Sequence, residues 1–219
     1  MGSFEGGGAM NWMDLSLQDF QDALASNEPT PGGGTAAAVA LGQASALTKM
    51  VAHLTLGNEK WQDGWASAKN AQSIVDTIYQ RAGELAQLDS EAFDSVMGSF
   101  RMPKSTEDEK MERRKAIRKN TLLAAEIPYE TVLLGMELLS CQEALARSGN
   151  ANAVSDVGVA SLLASAAVKG ALFNVEINLQ SLPAEMGEEM RLQCPLLRTK
   201  CSEVSRGIMH AVHERMSSN

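Results

Sequence analysis

The sequence predicts an all-α protein, a single-domain bundle of long antiparallel helices that forms a dimer. Alanine, leucine and methionine are abundant, while aromatic residues make up 5% of the 219 residues. This composition favours close-packed helices over a β-sandwich. Apolar residues recur at helical spacing between glycine and proline breaks, and no segment requires a strand. The breaks are short, which is typical of antiparallel bundles.

The first residues are predicted to lie outside the domain. Residues 1–12 are glycine-rich and lack periodicity, so we expect a flexible N-terminal extension or residues added in cloning. The helical domain is predicted to span residues 13–219. Ser16 is placed to cap a short first helix that ends by Asn27, because apolar residues follow it at helical spacing.

Five further helices are read from caps and breaks. The second follows PTPGGG, the third ends before Pro103, and the capping-box pair Thr106 and Glu109 opens the fourth, which Pro128 is expected to kink or interrupt. Pro183 is expected to start the last helix. The predicted ranges are about 35–56, 66–100, 106–147, 152–182 and 183 onward.

The second helix indicates self-association. It would span roughly 33 Å and presents Ala, Gly, Ser and Thr on nearly every side. Small residues on every side of a helix indicate that other helices pack closely against every side. A monomer of this size has too few helices to surround the segment in this way. We therefore predict a homodimer whose central helices bury this segment.

Charge and cysteine usage limit the partners and the compartment. A net charge of −8 disfavours nucleic acid, because affinity for phosphates comes from Lys and Arg. Three cysteines without a CxxC pair, and no leader pattern, fit reduced thiols in a cytoplasm. The most apolar segments contain ionisable residues, so they are interpreted as buried helices and not as membrane spans. A basic cluster on the fourth helix is either a solvated face or a site for a small anion: Arg113, Arg114, Lys115, Arg118 and Lys119.

A polar stripe marks the fifth helix. Asn152 and Asp156 share a face, and Asn174 and Asn178 recur on the same side about five turns later. Such side chains need partners, because an unpaired buried polar group costs ~1 to 3 kcal/mol. They form either hydrogen-bond clamps between helices or a polar groove for a ligand rich in donors and acceptors, such as a pterin. Asn152 is also placed to act as a simple helix cap.

Asp89 is a candidate proton donor or base. It shares one side of the third helix with Phe93 and other apolar residues, and apolar neighbours raise the pKa of a carboxyl group by desolvation. The alternative is an ion pair with Lys or Arg of a neighbouring helix. His53 on the second helix is interpreted as a core residue. His210 and His213 lack a third ligand at metal spacing, so no metal is expected.

Three blocks taken together resemble the cyclodeaminase/cyclohydrolase family: PTPGGGTAAAVALGQASALTKMVAHLT, DSEAFDSVM with RMPK, and NANAVSDVGVASLLASAAVKGALFNVEINL. The family includes the C-terminal domain of formiminotransferase-cyclodeaminase and free-standing methenyltetrahydrofolate cyclohydrolases. The order and spacing of the blocks match over roughly residues 13–215. The resemblance implies an all-helical, dimeric, folate-binding fold.

The resemblance implies chemistry at the bridge between N5 and N10 of tetrahydrofolate. A cyclodeaminase converts 5-formiminotetrahydrofolate into 5,10-methenyltetrahydrofolate and ammonia, and this is the expected activity. A cyclohydrolase opens the methenyl bridge to 10-formyltetrahydrofolate, and it is the alternative. A non-catalytic folate-binding or scaffold bundle is the alternative of another class. A tetrahydrofolate derivative is expected as substrate, with no metal.

The resemblance also gives roles to particular residues. Asp89 and Asp156 are expected to be catalytic, one as acid/base and the other as electrostatic stabiliser, in an order left open. Lys104 and Arg114 are expected to meet the glutamate tail of the folate. His53 departs from the Asn that is usual in the family, which puts the specificity or the activity in doubt. The expected substrate-binding set is Pro31, Gly32, Gly33, Gly34, His53, Phe93, Lys104, Arg114, Asn152, Asn174 and Asn178.

Overall fold

The computed structural model describes residues 11–218, and every regular element in that range is helical. The predicted all-α bundle is confirmed. The helices are α1 (Leu17–Leu24), α2 (Gly33–Leu56), α3 (Trp65–Phe100), α4 (Glu107–Ser148), α5 (Val154–Gln180) and α6 (Glu188–Ser217), with 3-10 turns at Trp12–Asp14, Glu59–Gly64 and Ala151–Ala153.

The predicted helix starts at Ser16 and Thr106 are confirmed. The Ser16 hydroxyl accepts the backbone N–H of Asp19 and caps α1. Thr106 and Glu109 form the reciprocal capping box that opens α4. Each cap satisfies backbone donors that the first helical turn leaves without partners.

The two central helices, α2 and α5, run antiparallel. Gly33 at the start of α2 lies beside Asn174 near the end of α5, and the backbone N–H of Asn150, just before α5, donates to Thr55 Oγ1 at 2.9 Å. Small residues let the helices approach closely: a Cβ on Gly135 of α4 would overlap Val168 of α5. α5 is flanked by α2, α4 and α6, and its residues Ala160, Ala164, Ala167 and Ala171 are buried.

Helix α4 passes through Pro128 as one element, so the expected interruption is wrong. Proline removes the N–H that would bond the carbonyl four residues earlier. That carbonyl belongs to Ala124, and Asn178 Nδ2 of α5 donates to it at 2.8 Å. A side chain from the neighbouring helix therefore supplies the missing donor.

The last helix begins later than predicted. Pro183 lies in the connection after α5, and α6 starts at Glu188 after Gly187, whose φ of 69° lies in the left-handed region. A side chain at Gly187 would also overlap Leu179. Position 187 thus ends the turn, and glycine suits both its backbone conformation and its close packing.

The ordered contacts begin before the predicted domain start at residue 13. Trp12 opens a 3-10 turn, and its backbone N–H donates to Gln87 Oε1 of α3 at 3.2 Å. The division of the chain after residue 12 stays a prediction, and Trp12 contacts α3. The rest of the proposed extension, residues 1–10, lies outside the described residues.

Within residues 11–218, one stretch, Ala151–Gln180, is long and apolar enough to cross a membrane. It coincides with α5 and the turn before it. Of its most apolar window, 56% is buried against other helices. Burial of this kind is what the core helix of a bundle requires.

Candidate active site

A cavity of about 320 Å³ opens at the N-terminus of α2, where α2 meets α3, α4 and α5. The glycine loop before α2 forms one wall, and α3, α4 and α5 supply the others. Asp89 is the ionisable side chain in this lining. The lining residues are Pro29, Thr30, Gly32, Gly33, Gly34, Asp89, Phe93, Val96, Ala124, Asn174, Ile177 and Asn178.

Asp89 caps α2 from the neighbouring helix. Its carboxylate accepts the Thr35 hydroxyl at 3.0 Å and the Thr35 backbone N–H. The N-cap residue of α2 is Gly32, which has no side chain to do this. The alternative of an ion pair is wrong for the described residues, since no Lys or Arg there lies within 4 Å of this carboxylate.

The position of Asp89 depends on Gly34. A Cβ at residue 34 would overlap the Asp89 carboxylate, whereas a Cβ at Gly33 would make an ordinary contact with Asn174. The bare backbone at Gly34 therefore lets the carboxylate reach the first turn of α2. This explains one glycine of the PTPGGGT run.

Asn174 and Asn178 line the cavity, and their amide nitrogens are bonded to backbone carbonyls. Asn178 Nδ2 donates to the carbonyls of Ala124 and Asn174 at 2.8 and 2.9 Å, and Asn174 Nδ2 donates to Gly170 at 3.0 Å. Both hydrogens of the Asn178 amide are thus used within the protein. Asn178 is both a clamp between α4 and α5 and part of the cavity wall.

Burial raises the pKa of Asp89 above its ordinary value of 3.8, and the two hydrogen bonds from Thr35 offset part of this rise. Asn174, Asn178 and Phe93 carry no compensating positive charge. The site therefore favours a protonated Asp89 at higher pH than an exposed aspartate would show.

This shift predicts how stability depends on pH. Because the folded pKa is raised, the folded protein binds more protons than the unfolded chain between 3.8 and the folded value. We expect the free energy of unfolding of the wild type, relative to Asp89→Asn, to fall as pH rises through that window. Urea unfolding of both proteins at several pH values measures these free energies. If the free energy of unfolding of the wild type minus that of Asp89→Asn rises with pH, the raised pKa of Asp89 is contradicted.

Several predicted site residues lie elsewhere. Asp156 is half-buried in the first turn of α5, about 27 Å along the helix from Asn174. Asn152 is exposed, and the cap at that turn is Asn150. The structure does not bring Asp156 to the cavity that Asp89 lines, so the two carboxylates of one chain do not face the same ligand.

Two further predicted residues do not line the cavity. His53 is exposed near the end of α2, about 30 Å along the helix from Gly33, so its interpretation as a core residue is wrong. His53 Nε2 lies 3.4 Å from Gln72 Nε2. Pro31 is buried behind the glycine loop.

Lys104 and Arg114 lie together in a second, basic cavity of about 520 Å³. Ser181, one turn beyond Asn178 of the first cavity, is part of its wall. Arg113 holds the nearby end of α3 by donating to the Phe100 carbonyl at 3.1 Å. The basic lining is Lys104, Lys110, Arg113, Arg114 and Arg118.

Sequence reasoning missed three polar residues behind Asp89. Thr35 bonds Asp89, Ser90 Oγ lies 3.0 Å from Thr35 Oγ1, and Trp12 Nε1 donates to Ser90 Oγ at 2.9 Å. Adjacency to the glycine run and to Asp89 could have drawn attention to Thr35 and Ser90. Trp12 lies 78 residues from its partner, and nothing local predicts that contact.

No group of three or more His, Cys, Asp or Glu side chains in the described part of the chain is placed to hold a metal ion. His210 and His213 are both exposed on α6. The expectation that no metal is needed stays a prediction.

Known proteins resemble this chain over most of its length. A family model described as formiminotransferase-cyclodeaminase matches residues 16–194. The methenyltetrahydrofolate cyclohydrolase of Methylorubrum extorquens is 35% identical, over 81% of this chain and 86% of that protein. The formimidoyltransferase-cyclodeaminase of Gallus gallus is 33% identical over 77% of this chain, which corresponds to 31% of that protein.

A solved structure has the same fold. The crystal structure of formiminotetrahydrofolate cyclodeaminase from Thermotoga maritima matches with a TM-score of 0.76 and 28% identity, covering 94% of this chain and 98% of that chain. These relatives are named as enzymes, so the alternative of a non-catalytic folate-binding or scaffold bundle is not supported. The chain therefore belongs to the formiminotransferase-cyclodeaminase family, a family of folate cyclodeaminases and cyclohydrolases, and is an enzyme.

Proposed function

We propose that this enzyme is a formiminotetrahydrofolate cyclodeaminase and that Asp89 is its acid/base group. The observation that carries the proposal is a carboxyl group with a raised pKa in a cavity that has no other ionisable lining residue. The Thermotoga maritima cyclodeaminase, which matches nearly its whole length, supports this reaction.

The chemistry moves two protons to the leaving nitrogen, and Asp89 supplies the second. N10 of the folate attacks the formimino carbon on N5 and the N10 proton passes to the formimino nitrogen, which gives a tetrahedral carbon that bears an amino group. Protonated Asp89 donates its proton to that amino nitrogen, the carbon–nitrogen bond breaks, and ammonia leaves. The product is the 5,10-methenyl cation, which the resulting Asp89 carboxylate stabilises by its charge.

The other lining residues suit a pterin. The oxygens of Asn174 and Asn178 are placed to accept hydrogen bonds from ring N–H groups, because their amide nitrogens already donate to backbone carbonyls. Phe93 offers an aromatic face, and Gly33 lets a flat ring approach the backbone.

We place the glutamate tail of the folate in the basic cavity beside Ser181. Arg114→Gln is expected to raise KM for the folate severalfold with kcat nearly unchanged, because Arg114 would bind a carboxylate remote from the reacting carbon. Lys200→Gln, which removes a positive charge from an exposed position of α6, is the control. Equal KM values in the two variants would contradict this placement.

The cyclohydrolase reaction is the second candidate, because the Methylorubrum extorquens enzyme is 35% identical over most of both chains. In that reaction Asp89 would act as a base, taking a proton from the water that attacks the methenyl carbon. Absorbance of methenyltetrahydrofolate in the near ultraviolet separates the two. Its appearance from 5-formiminotetrahydrofolate supports the cyclodeaminase, its accelerated loss in water supports the cyclohydrolase, and neither change above the uncatalysed rate refutes both.

The predicted homodimer remains part of the proposal. Large apolar side chains are exposed on the adjacent helices α2 and α5, and we infer that a second copy covers them. They include Met50, Leu54, Val159, Leu162, Phe173 and Ile177.

Leu162→Glu is expected to convert the dimer into a monomer, because it places a charge among these side chains. Light scattering after gel filtration measures the mass. Leu196→Glu on α6 is the matched control, since Leu196 is 62% exposed and Leu162 55%. A wild-type monomer, or a dimer that survives Leu162→Glu, would contradict the interface.

A further inference from the structure

Three buried or half-buried side chains link Asp89 to the N-terminal turn. Trp12 Nε1 donates to Ser90 Oγ at 2.9 Å, Ser90 Oγ lies 3.0 Å from Thr35 Oγ1, and Thr35 Oγ1 donates to Asp89 Oδ2 at 3.0 Å. Thr35 is fully buried and Ser90 nearly so. This series of hydrogen bonds thus joins three elements that are distant in sequence: the turn at residue 12, α2 and α3.

The chemical types of Trp12 and Asp89, at the two ends of this series of hydrogen bonds, determine the direction of each bond. An indole N–H is only a donor, so Ser90 Oγ must accept from Trp12 and is free to donate its own hydrogen to Thr35. In its ionised form the Asp89 carboxylate is only an acceptor, so in that state the Thr35 hydrogen points to Asp89. All three donors therefore point toward Asp89, and each polarises the next.

No charged side chain of the described residues replaces Thr35 as the bonding partner of Asp89. Asp89 is the ionisable side chain of the cavity lining, and in the described residues no Lys or Arg forms an ion pair with it. Thr35, with its hydroxyl and backbone N–H, is therefore the partner that holds Asp89. Exposed carboxylates on the elements around the cavity and the loops beside them include Asp14, Glu28, Glu91, Asp94 and Glu126, while Lys49 is paired with Asp76 and Glu176 with Arg198. Asp156 and Lys169 are half-buried on α5, and neither lines the cavity.

We propose that Trp12 is a positioning residue, which acts through Ser90 and Thr35 to hold the Asp89 carboxylate in the orientation used for proton transfer. Trp12 is itself fixed at two points of α3, since its backbone N–H bonds Gln87 and its indole bonds Ser90. The inference rests on the proposed role of Asp89. It adds a residue that lies outside the cavity and outside the helices that form it.

The variants are chosen to remove one hydrogen bond each. Trp12→Phe keeps an aromatic ring but removes the indole N–H that donates to Ser90. Ser90→Ala removes the hydroxyl between Trp12 and Thr35. Thr35→Val removes the hydroxyl that donates to Asp89. Thr35→Ser restores that hydroxyl and should rescue. Trp65→Phe is the matched control, because its indole N–H donates to the Thr55 carbonyl at 3.1 Å, away from the cavity.

Two measurements are made on each variant. Carbon-13 NMR of labelled aspartate, with the Asp89 signal assigned by its loss in Asp89→Asn, gives the pKa of Asp89 in the free enzyme. We expect Trp12→Phe, Ser90→Ala and Thr35→Val to raise that pKa, because the chain stabilises the ionised carboxylate. The kcat should fall about two- to tenfold, the effect of one hydrogen bond, at unchanged KM and with a matching shift of the pH profile.

The outcomes separate this inference from the proposed function. If Trp12→Phe and Ser90→Ala leave the Asp89 titration the same as Trp65→Phe does, the positioning role is refuted, whatever the activity. If the wild type has no activity on 5-formiminotetrahydrofolate or methenyltetrahydrofolate, the proposed function is refuted. The NMR titration still decides whether the hydrogen bonds from Trp12 through Ser90 and Thr35 position Asp89. Failure of Thr35→Ser to rescue would also overturn the inference.

Discussion

Replacing Asp89 with Asn is expected to lower kcat by about two to four orders of magnitude, the range that one acid/base group contributes. The amide has nearly the same shape and can still accept the Thr35 hydroxyl, but it cannot donate a proton to a leaving nitrogen. The fold should persist, since the pKa of Asp89 is already raised by burial and the substitution removes a buried charge. Kinetics with 5-formiminotetrahydrofolate and thermal unfolding at pH 7 measure the two effects.

Two other carboxylates serve as comparisons for this variant. Asp94→Asn removes an exposed charge from the same helix and should retain full activity. Asp156→Asn tests the second carboxylate predicted from the family resemblance, which lies at the other end of α5. A loss in Asp156→Asn as large as that in Asp89→Asn would contradict a mechanism with Asp89 as the acting carboxylate.

Replacing Gly34 with Ala is expected to lower kcat by about a hundredfold or more, although no functional group is removed. The added Cβ would occupy the place of the Asp89 carboxylate, so the carboxylate has to leave Thr35. A displacement of about 1 Å is enough for a loss of this size. Because the overlapping atoms belong to a side chain and not to the backbone, we expect a folded protein with a mispositioned Asp89.

Gly42→Ala is the matched control on the same helix. Its Cβ would lie 3.6 Å from Ala82 Cβ, an ordinary contact, and alanine within a helix is more stable than glycine by about 0.5 to 1 kcal/mol. Far-ultraviolet circular dichroism checks the fold of both variants. A Gly34→Ala enzyme with wild-type kcat would show that the close approach of α2 to Asp89 is not needed for catalysis.

The helices could be predicted closely because their signals are local. Ser16, and Thr106 with Glu109, act within one helical turn, and the structure has the predicted caps. The errors came where a distant residue changes a local rule. Pro128 was expected to kink or interrupt α4, but α4 continues through it, and Asn178 from α5 donates to the carbonyl that the proline leaves without a partner.

The candidate site could be predicted in part. Asp89, Asn174 and Asn178 were expected on chemical grounds, and Phe93 and the glycine run were expected from the family resemblance. They line one cavity. Asp156 and Asn152 share a helix face with Asn174, but helical periodicity carries no information about axial distance from a pocket. About 27 Å of α5 separates Asp156 from Asn174.

By itself, the sequence determined the helical class, most helix ends and the chemical types of the site residues, because caps, glycines and apolar periodicity act within a few residues. The tertiary structure alone decided which of these residues meet. Packing α3 against the start of α2 places Asp89 on Thr35 beside Gly34, and the turn at Trp12 completes the hydrogen bonds behind it. Such contacts join residues 54 to 78 positions apart, and they exist only once the apolar faces of the helices are buried together.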